Sequence, residues 1–399
     1  MLQTSRDQTR IVHAWSEVLD FHVRRTIFAR SGPVVPCTWI IETFFMDKLR
    51  KFSPVLIPLF AWGFFMLHHF VHGWIIHVLL VMMLLWTVLE AVHHAELIAH
   101  KVGEPFGSIL LALAVTLIEV SLILSMMMTG GPDAKHLARD AVFSSVMIIL
   151  NAMIGLSLLV GGIKHKEQTF VMQGVYSALT VLVPMSVFTL IMPNYTYSTI
   201  GPDYSKPQLI FVAVVTLFLY ISFMVMQNVR HRTHFISAED TEHHERPSAR
   251  QTLVAAILLL ICLGAVVGIA ESLAPELEEA LDRAKLPHSL VGVVIACMIL
   301  LPEGLSAYKA SRSNRLQKSL NLSLGSALAS IGLTIPVISL LAAFTGMPLV
   351  LGIDAKFSIL FLLSILVIMM SFATGKTTEL HGIVLLVIFL VSLFLLIFP

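Results

Sequence analysis

Long apolar runs constrain this chain more than any other feature. They lie near residues 54–71, 74–93, 106–128, 140–162, 170–192, 208–229, 251–271, 289–309, 319–344, 356–373 and 380–398. A bilayer core of roughly 30 Å takes roughly 20 residues of α-helix, and no backbone N–H or C=O survives unpaired in lipid, so each run reads as a spanning helix. Composition agrees: with 57% hydrophobic and 13% charged residues, the chain lacks the polar surface to cover a water-soluble globule of its size. The sequence predicts an all-α integral membrane protein with about eleven transmembrane helices. A formal net charge of +1 leaves no electrostatic footprint for nucleic acid.

Charge placement orients the helices. With the amino terminus inside, about 20 of the 26 Lys and Arg fall in inner loops and about 6 in outer ones, as the positive-inside rule requires. Residues 1–53 carry Arg6, Arg10, Arg24 and Arg25 without an apolar core and cleavage site, and read as a cytoplasmic segment rather than a signal peptide. The carboxyl terminus is then expected outside, and the connection from Glu271 to His288 as an exposed acidic surface helix.

Residues 230–250, rich in His, Arg and acids, form the longest polar break in the hydrophobic part and read as a cytoplasmic linker. On either side the order of features repeats. After an extra first helix at 54–73, residues 74–229 contain an apolar helix, an acid-rich stretch, a Lys-containing break and a helix bearing Glu119. Residues 251–399 present the same order, ending in a helix bearing Glu303, and a polar-studded helix follows in each half. Five helices separate equivalent points, so the second half enters the membrane in the opposite direction, the inverted-repeat plan of many secondary transporters.

Only Glu119 and Glu303 place a charge deep within the spans. A carboxylate at a helix centre costs about 2.5–3.5 kcal/mol on insertion scales, and two at matching repeat positions point to a shared site. Two carboxylates in one site cannot both ionise cheaply, so protons occupy it when no cation does, and a cation displaces them. Oxygen ligands suit a hard cation such as Ca2+ or Na+. Pro302, directly before Glu303, removes a helix hydrogen bond and can free a backbone carbonyl to face the ion. Thr116, Ser144, Asn151, Ser319 and Ser326 are candidate secondary ligands, although small polar residues on one helix face also serve as packing contacts. The expected activity is cation efflux in exchange for protons by alternating access, with no enzyme chemistry and no held cofactor; Ca2+, Na+ or K+ and H+ are cargo.

Two other readings compete with this one. His68, His69 and His72, with the pairs His93–His94 and His243–His244, resemble the histidine boxes of membrane di-iron oxygenases, but this topology divides them between the two membrane faces. A carboxylate-lined channel would use Glu119 and Glu303 without proton countermovement. Imidazole titrates in the physiological range, so the linker cluster His231, His234, His243 and His244 is a candidate pH sensor, although a disordered loop is the favoured reading. Cys37, Cys262 and Cys297 are widely separated and form no metal or redox motif.

The stretches GEPFGSILLALAVTLIEVSLIL (103–124), ARDAVFSSVMIILNAMIGLSLLVGG (138–162), LPEGLSAYKASRSNRLQKSLNLSLGSALASIGLTIPVI (301–338) and GKTTELHG (375–382) resemble the calcium/cation antiporter superfamily, most closely its bacterial calcium/proton antiporters of the ChaA type. The resemblance runs from residue 54 onward. It implies one extra helix before two inverted five-helix repeats, a bacterial inner-membrane location, and a cation-binding acid in each repeat, here Glu119 and Glu303. Calcium/proton exchangers of this superfamily typically carry Gly-Asn shortly before the acid. Thr116 and Leu300 stand where the Asn would be, which leaves room for Na+ or K+ beside Ca2+.

Overall fold

The computed structural model describes residues 55–398 except 69, 71, 72, 104, 105, 130, 131, 199, 200 and 231–246. The expected amino-terminal segment 1–53, most of the 230–250 linker, and His69, His72, His231, His234, His243 and His244 lie outside the described residues. The remaining chain is helical, apart from one pair of two-residue strands.

Eleven helices follow in order. They are α1 (Val55–His68), α2 (Trp74–Val102), α3 (Phe106–Thr129), α4 (Ala134–His165), α5 (Met172–Tyr195), α6 (Lys206–Asn228), α7 (Ala249–Ala284), α8 (Ser289–Arg312), α9 (Leu316–Thr345), α10 (Ala355–Phe372) and α11 (Glu379–Ile397). Among the described residues, the ten from α2 onward are long and apolar enough to cross a membrane, whereas α1 is a shorter apolar helix. At 1.5 Å per residue α1 reaches roughly 21 Å, less than a bilayer core. It lies along α7, where Trp62 Nε1 donates to Ile261 O at 3.2 Å.

One expectation is corrected here. The acidic stretch after Glu271 is no separate surface helix, because α7 continues through Pro275 to Ala284. Its 36 residues span roughly 54 Å and carry the acids beyond the bilayer core. A proline whose own N–H is lost bends a helix without ending it when the following turns still close.

The helix contacts come in matched sets. With α2 paired to α7, α3 to α8, α4 to α9, α5 to α10 and α6 to α11, most contacts in one half have a counterpart in the other, although α2 packs closely on α3 where α7 and α8 do not. Thus α4 packs against α8 and α11, and α9 packs against α3 and α6, while α2 and α7 pack on each other. The spans α4 and α9 are the most enclosed. Glycine permits the closest approach: a Cβ on Gly382 of α11 would strike the Leu159 backbone N of α4, and one on Gly162 would strike Glu379 N. Backbone meets backbone there, as small residues allow between membrane helices.

The loops also sort into two groups, as an alternating up-and-down path requires. Strand β1 (Gln168–Thr169), between α4 and α5, pairs antiparallel with β2 (Lys376–Thr377), between α10 and α11. The Gln168 side-chain amide donates to Ser311 O at 3.0 Å and to Asn314 Oδ1 at 3.1 Å in the α8–α9 turn. In the other group, Val350 N donates to Lys135 O at 3.0 Å and Gly352 N to Pro202 O at 3.1 Å. These bonds tie the α9–α10 loop to the first turn of α4 and to the α5–α6 connection.

Candidate functional site

Glu119 sits past the middle of α3 and is 2% exposed. Its Oε2 accepts hydrogen bonds from Thr334 Oγ1 at 2.6 Å and Ser330 Oγ at 3.2 Å, while its Oε1 is buried without a partner. Both donors belong to α9, in a π-helical turn spanning Ser330–Thr334. Such wide turns are uncommon and concentrate at functional sites. The matched helix α4 carries its own π turn at Ile148–Met153, with Asn151 inside it.

Glu303 lies in α8 directly after Pro302, which is held inside the helix. Its Oε2 is buried and accepts no hydrogen bond. The two acids are therefore equivalent in the repeat and unequal in their surroundings.

Both line one cavity of about 660 Å³. Thr116, Pro302, Ser326 and Ser330 also line it, so hydroxyl and carboxylate oxygens converge within a largely apolar wall. The cavity extends from the acids past Ser306 and Lys309 to Ser313, Arg315 and Lys318 at the α8–α9 turn, and meets Glu96 near the end of α2 and Gln227 near the end of α6. All of these ends belong to the loop group that contains the β1–β2 pair.

Three of the candidate ligands are placed elsewhere. Ser144 lines a small void with Phe143 and Phe357. Ser319 donates to Ser157 Oγ at 2.9 Å in a buried contact between α9 and α4. Asn151 is fully buried and donates to Ser364 Oγ of α10 at 3.0 Å and to Met147 O at 3.2 Å, its Oδ1 left without a partner. Thr334 was not among the expected ligands, yet it makes the shortest contact to Glu119. The serine stripe Ser319, Ser323, Ser326, Ser330 reaches it one turn further on.

No group of three or more His, Cys, Asp or Glu among the described residues is placed to hold a metal ion. The chemistry available is that of two carboxylates and neighbouring hydroxyls. They can hold a hard cation or protons without forming a covalent intermediate.

A helical membrane protein built from two matched halves, each supplying one acid to a shared buried cavity, belongs by architecture among the secondary transporters. Comparison with known proteins narrows the class. The sodium/calcium exchanger protein family matches residues 72–229 and 254–398, and the chain belongs to that family. It is 43% identical over 313 residues to y4hA of Sinorhizobium fredii, covering 77% of this chain and 85% of that one. It is 36% identical over 333 residues to the sodium-potassium/proton antiporter ChaA of Escherichia coli, covering 82% and 89%. Among solved structures, the fold matches an H+/Ca2+ exchanger CAX with a TM-score of 0.66 and 16% identity, over 88% of this chain and 89% of that one. Membership in a transporter family leaves the oxygenase reading without support.

Proposed function

We propose that this protein exchanges an inorganic cation for protons by alternating access, with Glu119 and Glu303 holding cation and protons in turn. The observation that carries the reading is the convergence of these two acids, from matched helices, on one cavity, each with a buried oxygen that accepts no hydrogen bond. A buried carboxylate oxygen without a donor is costly unless a proton or a cation satisfies it. The two are mutually exclusive there, and exclusivity couples their fluxes if the cavity opens to one side at a time.

Cargo is drawn from Ca2+, Na+ and K+. The E. coli relative is named as a sodium-potassium/proton antiporter, and a Bacillus subtilis relative, 25% identical over 211 residues, as a Ca2+/H+ antiporter. Thr116 lines the cavity one turn before Glu119 and offers a hydroxyl, while Leu300 offers no side-chain ligand. That set suits monovalent cations as well as Ca2+. Glu119, Glu303, Thr116, Pro302 and Ser326 form the binding site in this reading. The Ser330 and Thr334 hydroxyls hold Glu119 in place.

The protein is a multi-pass membrane protein. In our reading it sits in a bacterial inner membrane with the α8–α9 turn cytoplasmic, so the cavity faces the cytoplasm, ready to load a cation for export. Residues 1–53 and 230–250 are then cytoplasmic, and 74–229 and 251–399 are the two repeats. The test is transport by purified protein in liposomes, with an imposed pH gradient driving Na+, K+ or Ca2+ movement. Exchange by the wild type and none by Glu119→Gln or Glu303→Gln is expected. Undiminished exchange in both variants, or cation flux without proton countermovement, would contradict the proposal.

A further inference from the structure

Two small voids of about 30 Å³ each lie toward the end of the molecule opposite the cavity mouth, between α4, α8, α10 and α11. They occupy the place of the cavity's counterpart in the repeat. Aligning the starts of the two π turns, Ile148 and Ser330, sets α4 against α9 in register. In that register the six α9 residues from Asn321 to Ser330 on the cavity correspond to Arg139, Asp140, Phe143, Ser144, Met147 and Ile148, and all six of these line the voids. On α11, Phe389, Leu393 and Leu396 line them with the same spacing as Tyr220, Met224 and Gln227, the cavity residues of the matched helix α6. One half shapes an open cavity and the other a collapsed one. Two aromatic side chains account for the difference. Phe143 stands where α9 has Gly325, around which space is open. Its ring packs on that of Phe357 in α10, with centroids 5.4 Å apart. Helix α5, the counterpart of α10, supplies no described residue to the cavity. One turn nearer the start of α4, Arg139 pairs with Asp140 at 2.7 Å and donates to Gly352 O at 2.9 Å, tying α4 to the loop before α10.

We propose that Phe143 and Phe357 close a second route to the cation site, entered from the end opposite the cavity, and that Ser144 lines this route when it opens, as Ser326 lines the cavity now. The proposal rests on the exchange reading given above. A site that opens to one side at a time needs a route on each side, and an inverted repeat supplies the second when one half takes the shape of the other. The voids that remain around the two rings are too small for a hydrated cation. Opening therefore requires the rings to part. It also frees the Ser144 hydroxyl, an oxygen for a cation that has shed water.

The experiment introduces Ser144→Cys into a background with the native cysteines replaced and applies a membrane-impermeant thiol reagent to the vesicle face opposite the cavity mouth. Labelling is expected to rise about tenfold once a pH gradient and cargo cation set exchange running, as the opened form grows from about 1% to about 10% of the molecules. Adding Phe143→Leu, which keeps an apolar side chain and removes the ring, should raise labelling of the resting protein to a similar rate; Phe357→Leu gives the same reading where Phe143→Leu fails to fold. Three results would each overturn the proposal: no labelling from that face, equal labelling at rest and during exchange, or a resting rate that removal of the ring leaves unchanged. Failure here leaves exchange intact and still dependent on Glu119 and Glu303, whereas failure of the exchange reading shows as transport that survives their replacement.

Discussion

Glu119 and Glu303 differ most in what holds them. Thr334 and Ser330 fix one carboxylate across the contact between α3 and α9, whereas the other has a buried oxygen that accepts no hydrogen bond. Replacing Thr334 by Val keeps the shape and removes the 2.6 Å donor. The expected cost is about 1–3 kcal/mol of stability, read as a lowered melting temperature of the detergent-purified protein. Cation affinity should change several-fold while transport persists, because Glu119 itself remains. The two acids were legible in the sequence because a deep intramembrane charge has to be justified by function. Thr334 was not. An α-helical stripe ordered the serines correctly, but it could not show that a π turn presents Ser330 and Thr334 together to one oxygen. Nor could a polar face tell which neighbour it meets: Ser319 turns to Ser157, and Ser144 to a void beside Phe143.

The elements follow from apolar run length with few exceptions, since lipid admits no alternative to a helix. Their ends were harder to read. The acidic clusters predict helix ends, yet α2 continues in unbroken helix to Val102, and α7 carries its acids past the bilayer core to Ala284. Hydropathy registers where a helix leaves lipid, not where its hydrogen bonds stop. Close packing was invisible for another reason: glycine in a membrane helix is common, and only the partner reveals which one is essential. Gly382→Ala is predicted to separate α11 from α4 at a cost of roughly 1–3 kcal/mol, because the new Cβ meets backbone that cannot rotate away. Size-exclusion profiles and melting curves of the purified variant check this. Gly325, which has open space around it, should accept Ala with no loss of stability.

At the scale of the molecule, the matched contacts place one cavity between the halves and extend it to a single end. The odd-helix repeat read from the sequence required the halves to be matched, and the loop contacts follow the expected alternation. What the sequence lacked was the side to which the site opens, a property of one conformation rather than of the repeat. A Ser306→Cys variant, in a background with the native cysteines replaced, should react with a membrane-impermeant thiol reagent applied at the α8–α9 face. Bound cation should slow that reaction.

The central claim is that cation and protons compete for Glu119 and Glu303. It predicts that cation affinity rises with pH, roughly tenfold per unit for each proton displaced. The most direct test adds Ca2+ or Na+ to purified wild-type protein in weakly buffered solution and measures the protons set free. Proton release that saturates with cation binding and vanishes in the Glu119→Gln, Glu303→Gln double variant is the predicted result. Cation binding without proton release, or equal release from the double variant, would contradict it.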